Sequence, residues 1–407
     1  MQSIWLLIAA GLGLLLGLLF IKSLTAHPTQ MGRFLSAAWI SLFLLILVLA
    51  RALPGEMLLY GLLLSGAGFA AGYAWMTASV LGGVSDKPLP ALTRTAEGPN
   101  LGHTAVIYFT HGEPETYDPR GWIKQFKEFD EEGIPFIPWL VRPFFIRALR
   151  ERYLSVGRSE HGGIHRHMLA SLEKAYRLEG DRSTRFYTAF LDDDPTPEAA
   201  AIQALNEGAG RILVAEVFLT VSNHTAEGQE RIRSLQAPER LGVPVTFTGP
   251  LHDSSTLQRM FVARANAFTG SSPKERTGIL LVGHGQPDEW DKMWPTETEQ
   301  EMTFRHGILD LLEADGYRRE NMSLAWAAFK QPRPRAVIPQ FQKNGIEKLL
   351  YFPAAISADA IISQYDIPQL IHEVRFPEGF PVVNMGAWND DPLVIQAIKE
   401  KLDPWMK

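Results

Sequence analysis

The chain has 407 residues, a formal net charge of −6 and no cysteine. That length holds a membrane segment and two domains of usual size. The nearly balanced charge, with no long basic run, gives no footprint for nucleic acid. Without cysteine there is no disulfide, thiol nucleophile, Cys-ligated zinc or iron–sulfur cluster, so metal chemistry must use imidazoles, carboxylates or a ligand's own nitrogens.

Three uncharged apolar runs open the chain, at 4–21, 34–50 and 57–83. Each is long enough to cross a hydrocarbon core of ~30 Å, so residues 1–85 are expected to form a three-helix membrane anchor. The first run resembles a signal peptide in length, but its charge-free amino end and the two further runs argue against cleavage. Lys22 and Arg33 fall in the first loop and Lys87 and Arg94 follow the third span, against Arg51 alone in the second loop. Positive residues concentrate on the cytoplasmic side. The expectation is therefore a multi-pass protein of the inner (cytoplasmic) membrane with its soluble part in the cytoplasm. The pairs Gly13/Gly17 and Gly68/Gly72 have the spacing of close helix packing, which is also common membrane composition.

Residues 86–103 form a polar linker bearing Pro and Gly. The buried-strand pattern of residues 104–110 follows and ends in His111-Gly112-Glu113-Pro114. Between 117 and 182 the chain is rich in aromatics (Trp122, Phe126, Phe129, Phe136, Trp139, Phe144, Phe145) and arginines (Arg147, Arg150, Arg152, Arg158). These aromatics make either a local core or a lip that stacks on a flat apolar ligand while arginines take its carboxylates. Asp192, Asp193, Asp194 and Glu198 precede a helix and suit its dipole; a metal-capturing patch is the lesser reading. The next buried strand, near 211–215, leads to Thr220 and His224.

The pattern then repeats. Residues 278–282 read as a strand buried on both faces, closed by Gly283-His284-Gly285-Gln286-Pro287. A histidine at the carboxyl end of such a strand stands where open α/β sheets place ligands. A second strand, a Pro-flanked helix and a third strand follow in both halves, with Thr220 and Ser357 in matching places. Repetition on this scale predicts two similar doubly wound parallel-sheet α/β domains facing a cleft, at 104–270 (with the 117–182 insertion) and 271–407. His111 and His224, each after a buried strand of one half, are expected on the same cleft as a two-imidazole metal site.

Four stretches then carry a family resemblance. Residues 279–287 resemble the ferrochelatase strand that ends in the catalytic histidine, here His284. Tyr153-Leu154-Ser155-Val156-Gly157-Arg158-Ser159 resembles the lip segment of that family. Trp326, followed by Pro332 and Pro334, resembles its strand and Pro-flanked helix, and residues 357–366 resemble its helix start, with Asp366 retained. From about residue 104 to 402 the chain is similar to the ferrochelatase superfamily, which includes the sirohydrochlorin chelatases. Ferrochelatases carry Glu where this chain has Ile362 and usually His where it has Ala360. His111 and His224 instead resemble the metal-handling pair of sirohydrochlorin chelatases.

The resemblance implies a chelatase (a lyase) that inserts ferrous iron into a porphyrin in haem biosynthesis. Cobalt or iron insertion into sirohydrochlorin, and tetrapyrrole or metal binding without catalysis, are the alternatives. It implies His284 and His111 as catalytic residues, with Tyr153, Arg158, Ser159 and Trp326 against the tetrapyrrole. His284, His111, His224 and Asp366 would handle metal. No cofactor beyond the substrate metal, Fe2+ or Co2+, is implied. The partners are the tetrapyrrole, a divalent ion and the lipid bilayer.

Overall fold

A computed structural model describes residues 2–53, 55–84, 87–95, 102–134 and 137–406. Phe136, Ser85, Asp86 and residues 96–101 of the expected linker lie outside the described residues. The chain forms two compact units, one made of Met1–Lys87 with Thr116–Gly157, the other of Pro88–Glu115 with Arg158–Lys407.

The first unit begins with three helices, α1 (Gln2–Thr25), α2 (Pro28–Ala52) and α3 (Glu56–Gly82), all long and apolar enough to cross a membrane. Lipid supplies no hydrophobic force between helices, so close backbone packing must hold them together. The glycine pairs provide it. A Cβ on Gly13 would lie 2.1 Å from the Ser65 carbonyl oxygen, and one on Gly72 would lie 2.2 Å from that of Leu14. Gly17 and Gly68 meet Phe69 and Ala10 in the same way. The spacing read in the sequence is therefore the α1–α3 contact.

The same unit holds α4 (Arg120–Glu131) and α5 (Arg142–Val156). Here the two readings of the aromatics divide by residue. Trp122, Phe126 and Phe145 pack edge to face, with Phe126 and Phe129 buried, and Arg142 lies over the Phe126 ring at 5.1 Å. That is a local core. Trp139 and Phe144 stay exposed. Arg150 is buried and donates to the Ser23 and Ala26 carbonyl oxygens at 2.8 and 3.1 Å, satisfying acceptors that the end of α1 leaves open. Its expected part in a ligand-binding lip thus gives way to capping a helix.

The second unit starts with β1 (Thr104–Thr110) and continues through α6 (His161–Leu178), β2 (Arg185–Phe190), α7 (Pro197–Asn206), β3 (Arg211–Glu216), α8 (Asn223–Arg233), α9 (Ala237–Leu241), β4 (Val245–Phe247) and α10 (Ser255–Thr269). Its second half contains β5 (Thr277–Gly283), α11 (Asp288–Met293), α12 (Pro295–Ala314), β6 (Met322–Trp326), α13 (Pro334–Lys343) and β7 (Lys348–Pro353). A π-helical turn (Ile362–Asp366), α14 (Ile367–His372), β8 (Val382–Asn384) and α15 (Pro392–Met406) complete it. The two sheets are parallel and share one topology, β2-β1-β3-β4 and β6-β5-β7-β8. The fold is α/β with two parallel sheets of one topology, as the repeat predicts. The short edge strands β4 and β8 were not legible, being three residues each.

Alternation along the central strands explains the layers. Val106 and Tyr108 of β1 face a core that also takes Ile279 and Leu281 of β5, whereas Ala105, Ile107 and Phe109 face a second core, and Leu280 and Val282 a third. The middle core joins both halves. Phe261 of α10 meets Phe304 of α12 and Phe352 of β7, and Tyr176 of α6 donates to Asp403 of α15 at 2.9 Å. The two sheets are thus held as one body.

Candidate functional site

Each sheet reverses its winding beside its central strand, and a crevice forms where such connections diverge. His111 leaves the carboxyl end of β1 and His284 that of β5, so the repeat places both at equivalent points. Gly112 and Gly285 take positive φ (87° and 83°), which allows the turn. Gly283 is required for a different reason, since a Cβ there would lie 1.8 Å from the buried Glu301 carboxylate.

Both imidazoles are held alike. His111 Nδ1 lies 2.9 Å from the Gly112 carbonyl oxygen, and His284 Nδ1 lies 2.7 Å from that of Gly285. A carbonyl only accepts, so each Nδ1 carries a proton, and the neutral ring is held in the tautomer whose lone pair is on Nε2. The tips of both rings reach solvent. Protein crowded around His284 still disfavours its charged form and lowers its pKa, with His111 adding repulsion.

The structure brings His224 to the same place. It sits in the first turn of α8, with its ring centroid 4.8 Å from that of His111 and 6.0 Å from that of Trp290 on α11. Burial holds its pKa well below the ordinary histidine value, and His111 and His284 act in the same direction. Asp192 is the fourth member. Its carboxylate lies 3.3 Å from His111 Nδ1, so it addresses the histidine, while Thr196 takes the N-cap position of α7. Among the described residues no group of three His, Asp or Glu is preset as a metal cage.

Three functional candidates escaped the sequence reading. His165 of α6 is fully buried, with Nδ1 2.8 Å from the Tyr108 hydroxyl and Nε2 3.1 Å from the Ser357 hydroxyl of the other half. Burial pushes its pKa down to about 3. One turn earlier lies His161, with its centroid 4.4 Å from that of His165 and a buried Nδ1 without a hydrogen-bond partner among the described residues. The His-X-X-X-His spacing was the available signal, since residues four apart share a helix face. Glu113, two residues after His111, accepts from the Ile361 N–H at 3.0 Å and from the Ser159 hydroxyl. It ties the His111 loop to the start of the π-helical turn. Burial raises its pKa.

The remaining expected residues scatter. Ser159 is buried against Glu113, and Arg158 is exposed and paired with Glu160 and Glu115. Asp366 ends the π-helical turn, near enough to Glu113 to act on it electrostatically. Tyr153 and Trp326 do not present the open faces expected against a tetrapyrrole. Tyr153 is 4% exposed and packs edge-on to Tyr117 within the first unit; Trp326 is 4% exposed beneath the Arg305 guanidinium at 4.0 Å. Both rings are spent on packing.

The family description that fits this arrangement is Ferrochelatase, whose model matches residues 103–404. The chain belongs to the ferrochelatase family. Residues 103–404 are by family a tetrapyrrole chelatase, and the expected fold agrees. Among solved structures, this ferrochelatase-family chain is similar to SirB from Bacillus subtilis with Fe3+, at 16% identity over 74% of this chain and 94% of that one, TM-score 0.48. It is similar to the sirohydrochlorin chelatase SirB from Bacillus subtilis subspecies spizizenii in complex with cobalt, at 12% identity over 74% and 94%, TM-score 0.41. A multi-domain Deinococcus radiodurans protein with structural similarity to chelatases matches at 11% identity, over 74% of this chain and 54% of that one, TM-score 0.43. No curated protein matches the chain.

Proposed function

We propose that the protein is a membrane-anchored chelatase that inserts ferrous iron into a porphyrin, with its soluble part on the cytoplasmic face of the inner membrane. The reading rests on one observation: the ring of His224 lies 4.8 Å from that of His111 in one half, and His284 of the other half is near enough to act on His224 electrostatically and to be acted on by His111. Burial disfavours the charged forms of His224 and His284. Insertion of a divalent ion removes two pyrrole N–H protons, so the site needs neutral bases as well as metal ligands. His111 and His224 would receive the metal, with Asp192 orienting His111. His284, facing them, would accept protons. The macrocycle's own nitrogens would complete the metal's coordination. No cofactor beyond the substrate metal enters this scheme.

A second reading is favoured by a specific asymmetry. The stretch after β3 carries His224 and that after β2 carries Asp192, whereas Ala328 stands after β6 in the place of Asp192 and the stretch from β7 to the π-helical turn carries Asp359 but no histidine. A donor set confined to the first half supports cobalt or iron insertion into sirohydrochlorin. The two are separated by assaying the full chain in detergent or nanodiscs with protoporphyrin, coproporphyrin and sirohydrochlorin, each with Fe2+ and Co2+. Turnover with a porphyrin and iron is expected. Turnover with sirohydrochlorin alone transfers the assignment to the second reading. Tetrapyrrole binding without turnover of any pair defeats both.

A further inference from the structure

The loops that follow β2 and β6 are anchored alike. Each begins beside the histidine of its half: the Asp192 N–H donates to the His111 carbonyl oxygen at 2.8 Å, and the Ala328 N–H to that of His284 at 2.9 Å. Each ends where a proline carbonyl oxygen accepts from the preceding strand, that of Pro195 from the Phe190 N–H at 2.8 Å and that of Pro332 from the Trp326 N–H at 3.0 Å. Between these anchors the first half has Asp193-Asp194 and the second has Phe329-Lys330-Gln331, one residue more. The second loop absorbs the extra residue in a tight turn. The Lys330 N–H donates to the Ala328 carbonyl oxygen at 2.6 Å, and Phe329 stands between them at a φ of 54°.

That left-handed backbone is unfavourable for a bulky side chain, and glycine or asparagine adopts it more readily. The Phe329 side chain is also 43% exposed, so burial does not offset the strain in full. The turn is held from both sides. Lys330 pairs with Asp291 of α11, and a Cβ on Gly285 would lie 2.4 Å from the Ala328 carbonyl oxygen, so the loop rests on the backbone that follows His284. Strained residues that their surroundings hold in place gather at ligand sites.

Position narrows the ligand. Beside the His111–His224 pair the loop carries Asp193 and Asp194, whereas beside His284 it carries Phe329. The repeat thus sets acids on the side where a cation would be received and an aromatic ring on the side where pyrrole protons would leave. An exposed phenylalanine recognises a flat conjugated face by stacking. Tyr153 and Trp326, the two rings expected against a tetrapyrrole, are buried, which leaves that task to another side chain.

We propose that Phe329 is a substrate-binding residue whose ring stacks on the tetrapyrrole macrocycle beside His284. The inference rests on the chelatase reading and names the side chain that positions its organic substrate. The test uses the full chain in nanodiscs. For each variant it reads the affinity for metal-free protoporphyrin and for sirohydrochlorin from tetrapyrrole fluorescence, the KM for the tetrapyrrole and for the metal ion, and the melting temperature. Phe329→Gly removes the ring and suits the left-handed backbone. It should weaken binding of the tetrapyrrole that the wild type takes by about tenfold and raise the KM for it, with the KM for the ion unchanged and the melting temperature held or raised. Phe329→Tyr keeps the ring and should bind within about twofold of wild type. If Phe329→Gly shows no cooperative melt, Phe329→Asn, which also tolerates that backbone, is read in its place. Unchanged tetrapyrrole affinity in Phe329→Gly, beside a wild type that inserts metal, overturns the proposal and leaves the chelatase reading standing. Equal rises in both KM values also overturn it, since the loop would then support the whole site rather than one substrate. A wild type that binds neither tetrapyrrole overturns the proposal together with the reading beneath it.

Discussion

His111 and Asp192 are joined twice: the Asp192 N–H donates to the His111 carbonyl oxygen at 2.8 Å, and the Asp192 carboxylate lies 3.3 Å from His111 Nδ1. The backbone half of this link recurs in the other sheet, where the Ala328 N–H donates to the His284 carbonyl oxygen at 2.9 Å. Ala328 has no carboxylate, so His284 stands without an acid at that point. A carboxylate beside the Nδ1–H of a metal-binding imidazole fixes its tautomer and raises its basicity, and its loss typically lowers affinity about 10–100-fold. Asp192→Asn should weaken Co2+ binding by that range and leave the melting temperature nearly unchanged. Calorimetric titration of the full chain in detergent checks it. An unaltered affinity would show that Asp192 does not act on the metal.

The two histidines across from each other should fail differently. His284→Ala should lower turnover about 10²–10⁴-fold, the usual worth of a positioned proton acceptor, with tetrapyrrole binding retained. His224→Ala should mainly weaken metal uptake, visible as a raised KM for the ion. Turnover abolished by His224→Ala but untouched by His284→Ala would place the chemistry in the first half and favour the sirohydrochlorin reading.

The repeated strand-histidine pattern was enough to find both sheets and to put His111 and His284 at their carboxyl ends, because buried strands and glycine-flanked turns are local signals. His111 and His224 were legible as partners for the same reason. What escaped depends on contacts between distant segments. His165 gains its meaning from Ser357, and Glu113 from Ile361. Asp192 reads as helix chemistry until the β2 register places it beside His111. The lip is more instructive. Tyr153 and Arg150 have the composition of a ligand-binding segment, but both are buried within the anchor-containing unit, and no spacing in the sequence distinguishes those two uses of aromatics and arginines.

The anchor offers a separate test. Gly13, Gly17, Gly68 and Gly72 all face carbonyl oxygens of the opposite helix at distances no Cβ tolerates. Gly72→Leu should drive α1 and α3 apart and make the anchor sensitive to proteolysis in membranes, whereas Gly66→Leu, where nothing lies within 4 Å, should not. Equal resistance of the two variants would remove the glycine contact as the reason for α1–α3 packing.

Glu297 gives a pH test with a definite sign. Burial raises its pKa to about 8, with Glu301 and Asp291 adding repulsion and Lys330 opposing it. One of its oxygens is buried without a hydrogen-bond partner among the described residues. In the unfolded chain a glutamate titrates near 4.3, so between there and about 8 the folded state holds a proton that the unfolded state has released. Its stabilising contribution is therefore complete below the lower value and is lost as pH rises through about 8. The buried histidines act oppositely: His165, at about 3, costs stability only as pH falls below the ordinary histidine value near 6.5. A scan from pH 7 to 9 is thus free of them. Over that range the wild-type melting temperature should fall, and Glu297→Gln, which cannot ionise, should fall less and end above wild type at pH 9. Parallel curves for the two proteins would mean that Glu297 is already ionised in the folded state at pH 7.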